Sequence, residues 1–204
     1  MVFSKNLKDV LLNKAADAIG KGKVIVFPTD TVYGFLADAA NKKAVEKIFR
    51  IKKRPRLKPL AVFVKNLKMA KELAEINPEQ EKILKKYWPG KYTFILKSQI
   101  PNPKFQINSK FKILNSKLLT KNGKLALRIP KYKPLNDLLK KINKPLAQTS
   151  VNVSGNPPLS KISDIKEFIA ESGFAILIID AGNLKINKPS KIIDLPGKRL
   201  TRLR

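Results

Sequence analysis

Four segments of this 204-residue chain place polar side chains directly after short apolar runs, which is where α/β proteins hold their ligands. They are residues 27–34 (FPTDTVYG), 52–59 (KKRPRLKP), 128–130 (RIP) and 150–155 (SVNVSG). The chain contains no His and no Cys, which excludes a Ser-His-Asp triad, a Cys nucleophile, a disulfide and a thiolate or imidazole metal site. We therefore expect chemistry that uses cations, hydroxyls, carboxylates and backbone amides.

Cations dominate two of these segments. Residues 52–59 carry five Lys or Arg side chains within seven positions, and a solvated helix end would also tolerate them. The two prolines of the segment hold the cations in a defined shape, which suits a polyphosphate. Arg128 lies within an apolar run, so its guanidinium must reach an anion or a carboxylate, because an unpaired buried charge is costly.

Hydroxyl and amide groups dominate the other two segments. Residues 27–34 combine two Thr hydroxyls, a carboxylate and a phenol in a turn bounded by Pro and Gly. Residues 150–155 offer Ser hydroxyls, an Asn amide and backbone N–H groups that can form an anion nest. Taken singly, each segment is equally compatible with side chains that only satisfy a turn.

The net charge is strongly positive, with 43 Lys and Arg against 15 Asp and Glu, a balance of +28. Only 7 of the 43 are Arg, so part of the excess is explained by Lys on solvated surfaces. Between Glu81 and Asp137, however, there are 14 basic residues and no acidic one. This stretch predicts a local positive potential and a partner that carries phosphates or carboxylates, or a nucleic acid.

Apolar runs and helical patterns alternate along the chain, which predicts an α/β fold with a mixed sheet. Strands are predicted at residues 24–27, 60–64, 93–96, 125–129, 146–149, 175–179 and 191–195. Helices are predicted after possible caps at Ser4, Asn41 and Asn77, and over residues 67–76, 135–142 and 163–170. Residues 97–123 predict a long loop, and nothing divides residues 1–204 into more than one domain.

No apolar run approaches the roughly 18–20 residues that cross a bilayer. Charges at positions 5, 8 and 9 interrupt the N-terminal stretch, where a signal peptide would be apolar. We expect a cytoplasmic protein without a membrane partner.

The four segments, in this order and approximate spacing, resemble the threonylcarbamoyl-AMP synthases of the YrdC-like family. The K-x-R and S-x-N signatures of that family match residues 52–54 and 150–152, and residues 180–182 and 190–194 are similar to its C-terminal pattern. The resemblance implies a single YrdC-like domain with a twisted mixed sheet, flanking helices and a large basic concave cavity. It also implies a nucleotidyltransferase that makes L-threonylcarbamoyladenylate from L-threonine, bicarbonate and ATP, with Mg²⁺ accompanying the ATP.

The resemblance further implies roles for individual residues. The L-threonine contacts would be Thr31, Arg128 and Ser190. The ATP contacts would be Arg54, Lys58, Ser150, Asn152 and Arg204, with Lys52 and Arg54 as the catalytic cations. No protein-ligated metal is expected, and downstream proteins would transfer the product to adenosine 37 of tRNA.

The chain departs from the family pattern at three places. Phe63 stands where the family often has His, residues 157–160 read PPLS instead of S-P-T, and residues 190–191 read SK instead of S-T. Two alternatives remain open. One is a YrdC-like paralogue that binds tRNA or double-stranded RNA without synthase activity. The other is part of a hydrogenase-maturation carbamoyltransferase, which the absence of Cys disfavours.

Overall fold

The computed structural model describes residues 5–55, 57–99, 118, 122–185, 188–195 and 201–202, excluding the side chains of residues 5–8 and 201–202. The helices are α1 (Lys5–Gly20), α2 (Lys42–Ile51), α3 (Leu67–Leu73), α4 (Pro78–Tyr87), α5 (Lys133–Ile142) and α6 (Ile162–Glu171). The strands are β1 (Ile25–Phe27), β2 (Gly34–Asp38), β3 (Ala61–Phe63), β4 (Tyr92–Lys97), β5 (Lys124–Arg128), β6 (Leu146–Ser150), β7 (Leu177–Ile178), β8 (Lys191–Asp194) and β9 (Thr201–Arg202). None of the described helices is both long enough and apolar enough to span a bilayer.

These strands form one mixed sheet in the order β7-β1-β2-β6-β3-β5-β4-β8-β9. Strand β6 lies between β2 and β3 and is antiparallel to both, whereas β3 and β5 are parallel. The predicted α/β class and mixed sheet are confirmed. The domain limits 1–204 and the basic concave cavity stay predictions.

The two faces of the sheet are covered differently. Successive side chains of a strand point to opposite faces, so the strand registers assign each residue to one face. One face carries Val26, Phe35, Val62, Leu127 and Phe94 and is packed in the larger core cluster with residues of α2, α3, α4 and α6. The other face is covered at one end by the smaller cluster, in which residues of α1 and α5 pack on Ile25, Phe27, Leu36, Phe63 and Leu146.

Beyond α1 and α5, none of the described helices is packed on the second face over β6, β3, β5, β4 and β8. The registers place Gln148 beside Ala61 and Ala126 beside Ile95 on this face. All four are only partly buried, although Ala147, Val62, Leu127 and Phe94 on the opposite face are fully buried. We call this partly exposed area, with Ser150 and Arg128 at its ends, the open face.

Two of the predicted caps are observed. Asn41 accepts the Ala44 N–H at the start of α2, and Asn77 forms a capping box with Gln80 at the start of α4. The Ser4 cap lies outside the described residues, as does most of the predicted 97–123 loop.

Three elements differ from the sequence predictions, one of which is the short strand β9, which was not predicted. The helix predicted over 67–76 ends at Leu73, because Ala74 forms an isolated bridge with Ser98 and the Glu75 N–H donates to the Lys97 carbonyl. Strand β2 was not predicted at all. Its sequence, GFLAD, is buried at every position but contains no β-branched residue, so the local sequence gives little strand signal.

Candidate active site

The loop of residues 28–33, which joins β1 to β2, extends from the β6 end of the open face to the last residue of β5. Its Asp30 and Thr31 contact Arg128. Its Tyr33 carbonyl accepts the Val151 N–H at 3.0 Å. The loop therefore joins two of the predicted site segments, residues 128–130 and residues 150–155. The candidate site consists of one polar cluster at each end of this loop.

The first cluster is built around Arg128, whose side chain is only 2% exposed. Its Nε donates to the Gly90 carbonyl at 2.9 Å, and its Nη2 donates to Asp30 Oδ1 at 2.6 Å. The guanidinium also lies over the Phe63 ring, 5.6 Å from its centroid. Burial lowers the pKa of Arg128, and the Asp30 carboxylate opposes that shift. The prediction that Arg128 must reach an anion or a carboxylate is confirmed.

A chain of hydroxyls continues from Arg128 into the loop. Thr29 Oγ1 donates to the Val32 carbonyl at 2.7 Å and lies 3.1 Å from Thr31 Oγ1. Thr29 Oγ1 also accepts the Thr31 and Val32 N–H groups at 3.0 and 3.2 Å, so its proton and both of its lone pairs are already used. The Thr31 oxygen presents lone pairs beside Arg128 Nη1, which is 3.5 Å away, and can accept a hydrogen bond from a ligand amine.

Ser190 lies two strands away from Arg128 but on the same side of the sheet. Its hydroxyl is 2.9 Å from Thr93 Oγ1, and both side chains are buried. Phe94 pairs with Leu127, so Thr93 lies beside Arg128 on the neighbouring strand. Thr93 therefore holds Ser190 on the strand next to Arg128, and Arg128 in turn lies beside Thr31.

The second cluster joins the end of α2 to the turn that follows β6. Lys52 is 1% exposed, and its ammonium donates to the Ser150 carbonyl at 2.6 Å, to the Asn152 carbonyl at 2.9 Å and to Asn152 Oδ1 at 2.6 Å. The Ser150 hydroxyl donates to the same Oδ1 at 2.7 Å. The Ser154 N–H donates a hydrogen bond to the Lys52 carbonyl at 2.8 Å. The interpretation of Lys52 as part of a solvated helix end is wrong, because its side chain is buried against the turn, and its role in the cationic wall of the site stays a prediction.

The buried position of Lys52 changes its acid–base behaviour. Desolvation, together with the nearby positive charge of Arg54, lowers the pKa of Lys52 to about 7. No described carboxylate forms an ion pair with this ammonium, so carbonyl and amide oxygens stabilise its charge instead.

Arg54 holds the later part of the 52–59 segment through hydrogen bonds to its backbone. Its Nε donates to the Lys58 carbonyl at 2.8 Å and its Nη2 donates to the Pro59 carbonyl at 3.0 Å. The Lys58 side chain is exposed. Arg204, the remaining predicted nucleotide contact, lies outside the described residues.

Three residues of these clusters were not selected from the sequence. The sequence places Asp30 and Thr29 only in a polar turn and assigns no site role to Thr93. A signal existed for Thr93, because it is a small hydroxyl residue within the largely apolar run of β4. For Asp30 the missing information was its partner, which lies 98 residues away.

Among the described residues, no group of three or more His, Cys, Asp or Glu side chains is placed to hold a metal ion. The polar groups at both ends of the open face are cations, hydroxyls, amides and one carboxylate, that of Asp30, which is paired with Arg128. Such groups fit phosphates, carboxylates and amines.

A family model described as Telomere recombination, which carries the names Sua5, YciO and YrdC, matches residues 17–204. The threonylcarbamoyl-AMP synthase of Pyrococcus abyssi (strain GE5 / Orsay) is 34% identical over 182 residues, which are 89% of this chain and 49% of that protein.

Two solved structures have the same fold. Pyrococcus abyssi Sua5 complexed with L-threonine has a TM-score of 0.77 at 29% identity, covering 95% of this chain and 53% of that one. Escherichia coli YciO has a TM-score of 0.81 at 27% identity, covering 96% of this chain and 88% of that one. The chain therefore spans about half the length of each Pyrococcus abyssi match and most of the Escherichia coli protein. These similarities confirm the family resemblance stated from the motifs.

Proposed function

This chain belongs to the Sua5/YciO/YrdC family, whose model it matches over residues 17–204, and from this premise we propose that it is a threonylcarbamoyl-AMP synthase. The substrates are L-threonine, bicarbonate and ATP, and the products are L-threonylcarbamoyladenylate, pyrophosphate and water. The name of the Pyrococcus abyssi relative and the L-threonine in the related structure support the proposal. The observation that carries it is the 28–33 loop, which contacts both polar clusters of the open face.

The reaction needs no protein nucleophile. The amine of threonine attacks the carbon of bicarbonate, and loss of water gives a carbamate. A carbamate oxygen then attacks the α-phosphorus of ATP, and the bond to the β-phosphate oxygen breaks to release pyrophosphate. The protein must bring the reactants together and stabilise the charge on the α-phosphate and the leaving group, which preorganised donors do.

The Arg128 cluster is the proposed amino-acid site. Arg128 Nη1 is the guanidinium nitrogen with the weakest protein contact, since its one described partner is Thr31 Oγ1 at 3.5 Å. It can donate to the carboxylate of threonine while the Thr31 oxygen accepts from the amine. Ser190, held by Thr93, completes the contacts that the resemblance implies.

The turn after β6 is the proposed nucleotide site. Lys52, Ser150 and Asn152 bond to one another, and this holds the turn in one conformation. The neighbouring 52–59 segment supplies Arg54 and Lys58 for the triphosphate, with Arg204 as a further proposed contact. A turn and a cationic segment fixed in this way match the preorganisation that phosphoryl transfer requires.

The donor set does not fit a protein-bound metal, because the described residues offer no cage of carboxylates. We propose that Mg²⁺ enters as the counter-ion of the triphosphate, held by phosphate oxygens and water. Transfer of the threonylcarbamoyl group to adenosine 37 of tRNA belongs to downstream partner proteins in this proposal. The RNA-binding paralogue is not favoured by the comparisons.

The test is product formation by the purified chain. Incubation with ATP, L-threonine and labelled bicarbonate should give a labelled adenylate and pyrophosphate in equal amounts. Omission of any one substrate should abolish both products. ATP cleavage that does not depend on L-threonine, or no labelled adenylate with all three substrates present, would contradict the proposal.

A further inference from the structure

The guanidinium of Arg128 is held on two of its three nitrogens. Nε donates to the Gly90 carbonyl, and Nη2 donates to the Asp30 carboxylate, which leaves Nη1 beside the Thr31 hydroxyl. The ring of Phe63 supports the guanidinium plane from one face. The contacts of Nε and Nη2 therefore determine which nitrogen is presented to a ligand.

Asp30 is itself fixed at both of its carboxylate oxygens. Its Oδ1 accepts from Arg128 Nη2 at 2.6 Å, and its Oδ2 accepts the Lys131 N–H at 3.1 Å. Its side chain is 7% exposed, so this contact to Arg128 is shielded from solvent and from salt. Asp30 is also the chain neighbour of Thr31, so the same carboxylate fixes the position of the Thr31 backbone relative to Arg128.

We propose that Asp30 is a positioning residue of the amino-acid site, which directs Arg128 Nη1 and the Thr31 hydroxyl toward the same substrate. Asp30 acts through Arg128 and does not itself bind the substrate. The alternative role, in which Asp30 only neutralises a buried cation for stability, predicts no specific effect on threonine. This inference rests on the proposed synthase function.

The test uses Asp30→Asn. The amide has one acceptor oxygen where the carboxylate has two, so either Arg128 Nη2 or the Lys131 N–H loses its partner. We expect the KM for L-threonine to rise about tenfold, as for the loss of one charge-assisted hydrogen bond. The KM for ATP should change by less than about twofold, because the nucleotide contacts are independent of this pair.

Asp38→Asn is the matched control. Asp38 lies at the far end of β2, its side chain is 9% exposed, and its two oxygens also accept from one cation and one backbone N–H, those of Lys144 and Ala40. This variant changes the same chemical group in a similar environment outside the site. It should leave the KM for L-threonine unchanged.

A double-mutant cycle with Arg128→Gln shows whether Asp30 acts through Arg128. The Asp30→Asn change should have almost no further effect on the KM for L-threonine in the Arg128→Gln background. Additive effects, or equal changes in the threonine and ATP constants of Asp30→Asn, would overturn the inference. If Arg128→Gln does not fold, the comparison of Asp30→Asn with Asp38→Asn still decides. If the wild-type protein is active and Asp30→Asn behaves like the Asp38→Asn control, this inference alone is contradicted. If the wild-type protein is inactive and does not bind L-threonine, the proposed function is contradicted and this inference with it.

Discussion

The ammonium of Lys52 lies where the end of α2 meets the turn after β6, and its three protons match the three oxygens around it. A neutral amine has only two protons, so deprotonation removes one of these bonds. Because the pKa of Lys52 is lowered to about 7, this change falls close to neutral pH.

The lowered pKa of Lys52 predicts a pH-dependent stability. The group has an ordinary pKa of 10.5 and a folded-state pKa of about 7, so between these values the unfolded chain binds more protons. Raising the pH through this range therefore favours the folded state. Urea unfolding at pH 7 and pH 9 should show wild type gaining stability relative to Lys52→Met as the pH rises. A difference that stays constant or shrinks would show that the Lys52 pKa is not lowered.

Thr31→Val tests the proposed amino-acid site. The variant keeps the shape of the side chain but loses the oxygen that lies beside Arg128. Loss of one hydrogen bond should weaken L-threonine by about fivefold to tenfold and leave ATP unaffected. Steady-state kinetics with each substrate varied measures this, with Thr149→Val, on the opposite face of β6, as control. Equal weakening of both substrates would place the amino-acid site elsewhere.

Arg54→Ala tests the nucleotide site. Removing the guanidinium deletes a proposed phosphate contact and releases the carbonyls of Lys58 and Pro59. By analogy with the loss of one oxyanion donor, the barrier should rise by about 2–4 kcal/mol, measured as the rate of adenylate formation. Arg50→Ala removes an exposed Arg that lies over the Phe174 ring and should have little effect. Normal turnover by Arg54→Ala would exclude Arg54 from the site.

At the residue scale, the sequence predicted that a buried charge requires a partner, but it did not predict which residue that partner is. The need of Arg128 for a carboxylate followed from one cation in an apolar run, but the choice of Asp30 depends on a loop 98 residues away. The residue type of Lys52 and its place in the K-x-R signature were sufficient to predict it as a site residue. Its burial depends on how α2 packs against β6, which local sequence does not contain.

At the scale of elements, helix caps and the periodicity of apolar residues predicted most of the helices and strands. The Asn77-Pro78 pair predicted the start of α4, and the observed capping box confirms it. Strand β2 was missed because neither of its faces is polar, so it shows no alternation. This strand carries the end of the 28–33 loop, and without it the contact between that loop and Val151 could not be predicted.

The end of α2 offers a test at this scale. The Lys53 N–H donates to the Arg50 carbonyl and the Arg54 N–H donates to the Phe49 carbonyl, which is a Schellman motif with Lys53 at its left-handed position, φ 49°. Glycine adopts this conformation without the Cβ clash, so Lys53→Gly should stabilise the protein by about 1 kcal/mol. Thermal unfolding measures this. Asn143→Gly, at the left-handed residue that ends α5, should gain less, since Asn tolerates this conformation. A destabilised Lys53→Gly would contradict the account of this helix end.

At the scale of the whole molecule, the site depends on contacts between distant parts of the chain. The Lys52 ammonium reaches the turn 98–100 residues away, and Arg128 reaches a loop at a similar separation. The motifs predicted that these segments act together. They could not predict the strand order, which places β6, β3, β5 and β4 side by side and so brings Ser150 and Arg128 to the same face of the sheet.

The most direct measurement of the central claim is a crystal structure of the chain with L-threonine and a non-hydrolysable ATP analogue. We predict both ligands on the open face, with the threonine carboxylate on Arg128, its amine beside Thr31, and the triphosphate on the turn that contains Ser150 and Asn152. The amine should face the α-phosphate with room for bicarbonate between them. A nucleotide bound away from this turn, or a threonine site that does not face the α-phosphate, would contradict the account.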